Sequence, residues 1–465
     1  MSDRRVPCPA CKTPILEGAK KCFACKKWIV DPPPAAPKLP RAGLIMVSAV
    51  ATVMAVIVTS RESPVGEAPP LTPLGPAGSS SAAAAGHPAP AAIGPETPIE
   101  AEKPRPPADP TARWKARELK IGEVHPLDLE FSPKGDDLYV SADDATLREY
   151  RVKSGDMIHK ASVPAQGDHI RLLFDRYIAV LRHEDAGRIP IMDTTAWDHD
   201  PLLLDVGRSP GDIIALPDGK SVIAATTEGK HVIRYELPSG ARVADIVLPH
   251  ATGQLFLVHA EGRPYVAAMG ALSHGGQPAG AWIDLFDPDE NPFGATRRSI
   301  SVGREPQVGS VSANGGALFF PDRQSNSATL LRVAATTVTK TTAVGQGPVA
   351  AFLLDGDRWG ITLNGAARTA TVVDLATMKV HSTLMLSGEP STGVASSDGR
   401  TLFVALGGRD WPPKGSGVAV IGGDPPRVLG SLATGQGACA VAVARDGSRA
   451  AVANWWDKSL TVLEQ

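Results

Sequence analysis

Residues 396–405 read Ser-Ser-Asp-Gly-Arg-Thr-Leu-Phe-Val-Ala, and Arg445-Asp446-Gly447 opens a second stretch of the same form that runs to Ala453-Asn454. Each is an Asp-Gly turn followed at once by a short apolar strand, the local signature of a hairpin. The form recurs. Lys134-Gly135, Asp218-Gly219, Glu261-Gly262, Asn314-Gly315 and Asp355-Gly356 are the other turns, and the gaps along all seven glycines are 84, 43, 53, 41, 43 and 48 residues. The first gap is two units long, and Phe174-Asp175-Arg176 stands where its missing turn falls. Apolar strands follow the turns at Leu138–Val140, Val222–Ala224, Tyr265–Ala267, Leu318–Phe320, Leu402–Val404 and Ala451–Ala453. Third strands fall at Val232–Leu237, Trp282–Phe286, Thr371–Leu375 and Leu460–Leu463.

A period of about 40–50 residues with four strands per unit is that of propeller blades, which are too small to bury their faces alone and must stack around an axis. Units begin near residues 125, 167, 208, 252, 305, 346, 389 and 436, and the last stops at Gln465 after three strands. Arg117–Gly122 (RELKIG) reads as a stray fourth strand that completes it. The expected fold is therefore all-β: an eight-bladed β-propeller over 113–465, closed by an N-terminal strand. Seven blades is the alternative if the degenerate second unit merges with a neighbour. The stretches at 396–405 and 445–454 resemble the YVTN-type bacterial propellers, relatives of WD-repeat proteins. That resemblance covers about residues 115–465 and implies a fold rather than an activity, because such folds host many functions.

The rest of the chain is organised differently. Ala42–Ser60 (AGLIMVSAVATVMAVIVTS) is 19 residues without a charge. As a helix it spans about 28 Å, close to the hydrocarbon thickness of a bilayer. It lacks the polar face of a buried core helix. The 41 residues before it are too long for the basic region of a signal peptide. The reading is an uncleaved transmembrane helix at 42–60. Residues 22–41 hold four Lys/Arg and residues 61–80 hold one, which places the N-terminus in the cytoplasm and the propeller in the periplasm or outside the cell. The whole chain has net charge −2, but residues 1–41 carry +6 and the remainder −8, so no bulk charge favours nucleic acid.

Four of the five cysteines lie in the head: Cys8-Pro9-Ala10-Cys11 and Cys22-Phe23-Ala24-Cys25. Paired C-x-x-C knuckles converge four thiolates on one tetrahedral Zn2+, and the metal supplies folding free energy that so short a segment lacks. Residues 6–28 resemble the short zinc-ribbon family, with Lys12 and Lys26 where a Gly usually follows each knuckle. The expected layout is a cytoplasmic zinc ribbon at 1–30, a Pro-rich linker at 31–41, the span, and a Pro/Ala-rich linker at 61–112. The stretch 63–112 holds 13 Pro and 12 Ala, a composition too poor in large apolar side chains to fold.

In propellers, the loops entering each blade share a face with the loops between its second and third strands. Two of the latter are enlarged: Met269–Ala281 and Gly407–Gly417. Candidate ligand-binding residues on that face are Arg409, Asp410, Trp411, Trp455 and Trp456 as one patch, with Arg208, Arg304, Glu305 and Glu389 at the channel mouth. Trp and Arg are the types enriched at binding hot spots. Cys439 is expected to be an inert buried thiol. The eight Trp show no quinoprotein periodicity. The candidate haem ligands His125, His169, His183, His231, His259 and His274 occupy unlike repeat positions, and no hydrolase or phosphate motif is present. The function expected is a membrane-anchored binding or scaffold module, not an enzyme, whose partner is a protein or cell-envelope component. The alternatives are a propeller enzyme (a lactonase-like hydrolase or a cofactor-dependent oxidoreductase) or a transmembrane signalling link.

Overall fold

The structure is a computed structural model that describes residues 5–7, 14–16 and 111–465, apart from 165, 182–186, 228–229, 271–281, 334–337 and 411–413. These residues fall in two units, within Met1–Ile99 and Glu100–Gln465. In the first, strands Arg5–Pro7 and Pro14–Leu16 pair antiparallel with Val6 opposite Ile15. The four candidate zinc ligands and the proposed span at 42–60 lie outside the described residues. Among the described residues no helix is long and apolar enough to cross a membrane.

The second unit is eight four-stranded antiparallel sheets, seven of them simple meanders. Blades 1 to 7 begin at inner strands Pro126–Phe131, His169–Leu173, Pro210–Ala215, Thr252–Ala260, Ser310–Val311, Pro348–Leu354 and Pro390–Ala395. Blade 8 is Ala438–Val443, Arg449–Asn454 and Ser459–Glu464, with Lys115–Lys120 as its outermost strand. That strand pairs Lys115 with Glu464 and Lys120 with Ser459, two residues upstream of the expected start at Arg117. The count is eight, not seven, and the packing shows why. Buried apolar side chains form eight clusters, one at each interface between neighbouring blades. The cluster that closes the ring joins Leu129, Phe131 and Val140 of blade 1 to Ala442, Ala453 and Val462 of blade 8.

The degenerate unit is a full blade. Arg176 N–H bonds Leu173 O at 3.1 Å. Phe174 and Asp175 hold φ of 51° and 57° between them, a two-residue turn made without glycine. Inner strands start with Pro in blades 1, 3, 6 and 7 because an edge strand tolerates the missing donor. A register shift follows the first inner-strand residue in blades 1, 3, 4, 6, 7 and 8, the mark of a β-bulge at the rim of the channel.

Three blades carry a buried polar lock at the end of the second strand. In blade 6, Asn364 Nδ2 donates to Thr369 and Thr371 hydroxyls at 3.1 and 2.9 Å. In blade 8, Asn454 Nδ2 donates to Ser459 and Thr461 at 3.1 and 2.9 Å. In blade 5, Asp322 accepts from Ser327 and Thr329 at 3.1 and 2.6 Å. Each lock lies under the glycine of the loop entering its blade. A Cβ on Gly345 or Gly435 would come within 2.6 Å of Asn364 or 2.8 Å of Asn454, so nothing larger than glycine fits. The locks thereby fix the two kinds of loop that build one face of the ring.

Candidate functional site

That face gathers its chemistry where blades 7, 8, 1 and 2 meet. The enlarged loop of blade 7 sends Arg409 across the channel mouth. Its Nη2 donates to Leu127 O on the inner strand of blade 1. Its Nη1 lies 3.6 Å from Asp168 at the entry to blade 2. The guanidinium sits 5.3 Å from the ring centroid of Trp455 in blade 8, a cation–π distance. Trp455 stacks in turn on His125, ring centroids 4.6 Å apart, and its carbonyl O is 2.7 Å from His125 Nδ1. Asp143 fixes the other end of this unit by accepting the His125 backbone N–H at 2.9 Å.

The remaining candidates divide. Asp410 pairs with Lys414 at 2.8 Å, and Lys414 also reaches Glu389 at 3.2 Å, so the blade 7 loop is tied to the loop that enters its own blade. Trp456 is half-buried, its backbone N–H bonded to Gln436 O at 3.1 Å. Trp411 lies outside the described residues. Arg208 and Arg304 are exposed on the loops entering blades 3 and 5. Glu305 is 6% exposed, and its carboxylate faces Arg323 at 3.8 Å. It is packed into its blade rather than held out at the channel mouth. The structure therefore joins Arg409 to Trp455, and Asp410 to Glu389 through Lys414, on adjacent blades; Arg208, Arg304 and Glu305 stand apart on others.

Sequence reasoning missed the inner-strand residues beneath this patch. Asp128 Oδ2 is 2.6 Å from His169 Nδ1 and accepts the Ile170 N–H at 3.0 Å, which links blade 1 to blade 2. Burial opposes the Asp128 charge, but His169 and the N–H groups of Ile170 and Leu129 outweigh it and hold the carboxyl below its ordinary range. Asp212 repeats the device, accepting from Leu255 N–H of blade 4 at 3.1 Å while facing Arg171 Nε of blade 2 at 3.3 Å. The available signal was charge at alternate positions of otherwise apolar inner strands: Asp128 and Glu130 in one, His169 and Arg171 in the next. Burial pushes the Cys439 thiol up against the opposing pull of Arg409, so it is a neutral thiol rather than an activated nucleophile. Among the described residues no three His, Cys, Asp or Glu are arranged to hold a metal ion.

The chain folds as an eight-bladed β-propeller. Many solved structures are similar to it in fold. The C-terminal WD40 domain of Sif2 matches with a TM-score of 0.57 at 13% identity, over 76% of this chain and 98% of that one. Kuenenia stuttgartiensis hydrazine synthase matches with a TM-score of 0.51 at 14% identity, over 75% of this chain and 97% of that one. At such identities the likeness is one of fold. No family model and no curated protein sequence matches the chain.

Proposed function

We propose that the protein is a single-pass inner-membrane protein that displays its propeller outside the cytoplasm as a binding or scaffold module for a protein or cell-envelope component. In the same reading, Cys8, Cys11, Cys22 and Cys25 hold one structural Zn2+ in a cytoplasmic head. The uncharged stretch 42–60 and the basic residues before it support the anchor and its direction. One observation carries the binding role: the Arg409–Trp455–His125 unit spans blades 7, 8 and 1 at the channel mouth. A partly exposed guanidinium held on an aromatic face is oriented in advance for a carboxylate or carbonyl-rich partner, which lowers the ordering cost of binding. Binding is favoured over catalysis because the ionisable groups around the unit are already paired, Asp128 with His169 and Asp168 with Arg409, and Cys439 is held as a thiol.

The test is affinity capture from detergent-solubilised envelope with the full chain, Arg409→Glu and Trp455→Ala. The expected result is a component retained by the native chain and depleted at least about tenfold by each variant, the loss typical of a hot-spot residue. A component retained equally by all three overturns the docking face. No retained component, together with turnover by the purified chain, overturns the binding reading itself.

A further inference from the structure

At the ends of the inner strands away from Arg409, a cavity of about 250 Å³ opens between blades 8, 1 and 2. Its wall includes Glu130, Ser132, Arg171, Leu172, Val443 and Arg445. Each guanidinium is already paired with an aspartate. Asp212 holds Arg171 through Nε at 3.3 Å. Asp175, on the glycine-free turn of blade 2, holds Arg445 through both Nη1, at 2.9 Å, and Nη2. Neither Nη of Arg171 has a hydrogen-bond partner among the described residues, and the Glu130 carboxyl accepts no hydrogen bond among them.

This arrangement selects a charge pattern. Asp175 and Asp212 already offset the two guanidiniums, and Asp128 adds a further negative charge beside Glu130. The cavity is thus not a basic pocket that gathers simple anions. A simple cation would in turn face Arg171 and Arg445. A molecule with a carboxylate and an ammonium a few ångströms apart meets both requirements: a planar guanidinium recognises the carboxylate, and Glu130 receives the ammonium. Leu172 and Val443 give the wall an apolar portion suited to an aliphatic group. The volume lies just below the range of about 300–1,000 Å³ typical of drug-sized ligands, which fits a small one. We infer that this cavity binds a free α-amino acid with a small aliphatic side chain, at a site separate from the docking face.

The pH dependence has a definite sign. Burial first, then Asp128, raises Glu130 to about 7, against the opposing pull of Arg171, His169 and Arg445. Ionised Glu130 accepts the ammonium, so affinity rises with pH.

The experiment is calorimetric titration of the detergent-purified full chain with alanine, valine, propionate and ethylamine. Alanine or valine is expected to bind at least about tenfold more tightly than either single-charge analogue, the usual cost of an unmet charged partner. Affinity should rise about tenfold between about pH 6 and pH 8, as Glu130 ionises. Glu130→Gln should abolish that pH dependence. Val443→Trp, which fills the cavity, should abolish binding without changing circular dichroism. Equal binding of propionate or ethylamine, an affinity that falls with pH, an unaffected Glu130→Gln variant, or no heat with either amino acid overturns the assignment.

Discussion

Blades 6 and 8 end their second strands on a buried asparagine; blade 7 ends the same strand on Leu406, which is fully buried. The asparagine blades have hydroxyls on the facing strand, Thr369 and Thr371 or Ser459 and Thr461. Blade 7 offers Gly417 and Ala419 in the matching places. One architecture therefore tolerates two solutions at one position, a satisfied amide or an apolar side chain. What it does not tolerate is a mixture, because a buried amide without partners loses its water and gains nothing in return.

The sharpest way to break the comparison is to move the asparagine without its partners. Leu406→Asn should cost about 3–5 kcal/mol in chemical denaturation, from lost apolar burial plus an unpaired amide. A cost below about 1 kcal/mol would mean that the loop after it supplies partners. The converse change, Asn364→Leu, fits the apolar solution but strands the Thr369 and Thr371 hydroxyls. It should cost about 2–3 kcal/mol by the same measurement, and replacing both threonines by valine should recover most of it. The smallest effect has the opposite sign. Asp322 occupies the lock position of blade 5, and burial raises its carboxyl to about 6, against the hydroxyls of Thr329 and Ser327 and the Gly303 N–H. A raised folded value means the protonated form is favoured. The stability it contributes is fully present below the ordinary aspartate range and is lost as pH rises through about 6. Asp322→Asn should therefore stabilise the protein by about 1–2 kcal/mol above pH 7 and have little effect near pH 4. A uniform effect across that range would show that Asp322 remains ionised in the fold.

The fold was legible because Asp-Gly and Asn-Gly turns punctuate it. Gly399 and Gly447 mark blades 7 and 8 without any knowledge of packing. Blade 2 was harder because its turn reaches the same left-handed geometry with Phe174 and Asp175. The reason for that departure is also three-dimensional: Asp175 pairs with Arg445, 270 residues away. The candidate face was partly legible, since an enlarged loop and paired tryptophans announce themselves. Glu305 misled because its position in a Gly-Arg-Glu-Pro loop says nothing of the Arg323 it faces. The inner-strand charges were visible as letters, but only ring closure sets Glu130 beside Arg445.

The closing strand imposes an order in time. Lys115–Lys120 is made early, and its partner Ser459–Glu464 ends one residue before Gln465. The 338 residues between Lys120 and Ser459 must be synthesised before the two can meet. At about 5–20 residues per second this takes roughly 17–70 s. Throughout that wait the first strand is an unpaired edge, the kind of surface that seeds aggregation. Its sequence, Lys-Ala-Arg-Glu-Leu-Lys, presents a charge at four of its six positions. The segment that must wait longest for its partner is thus one that water holds in solution until the ring can close.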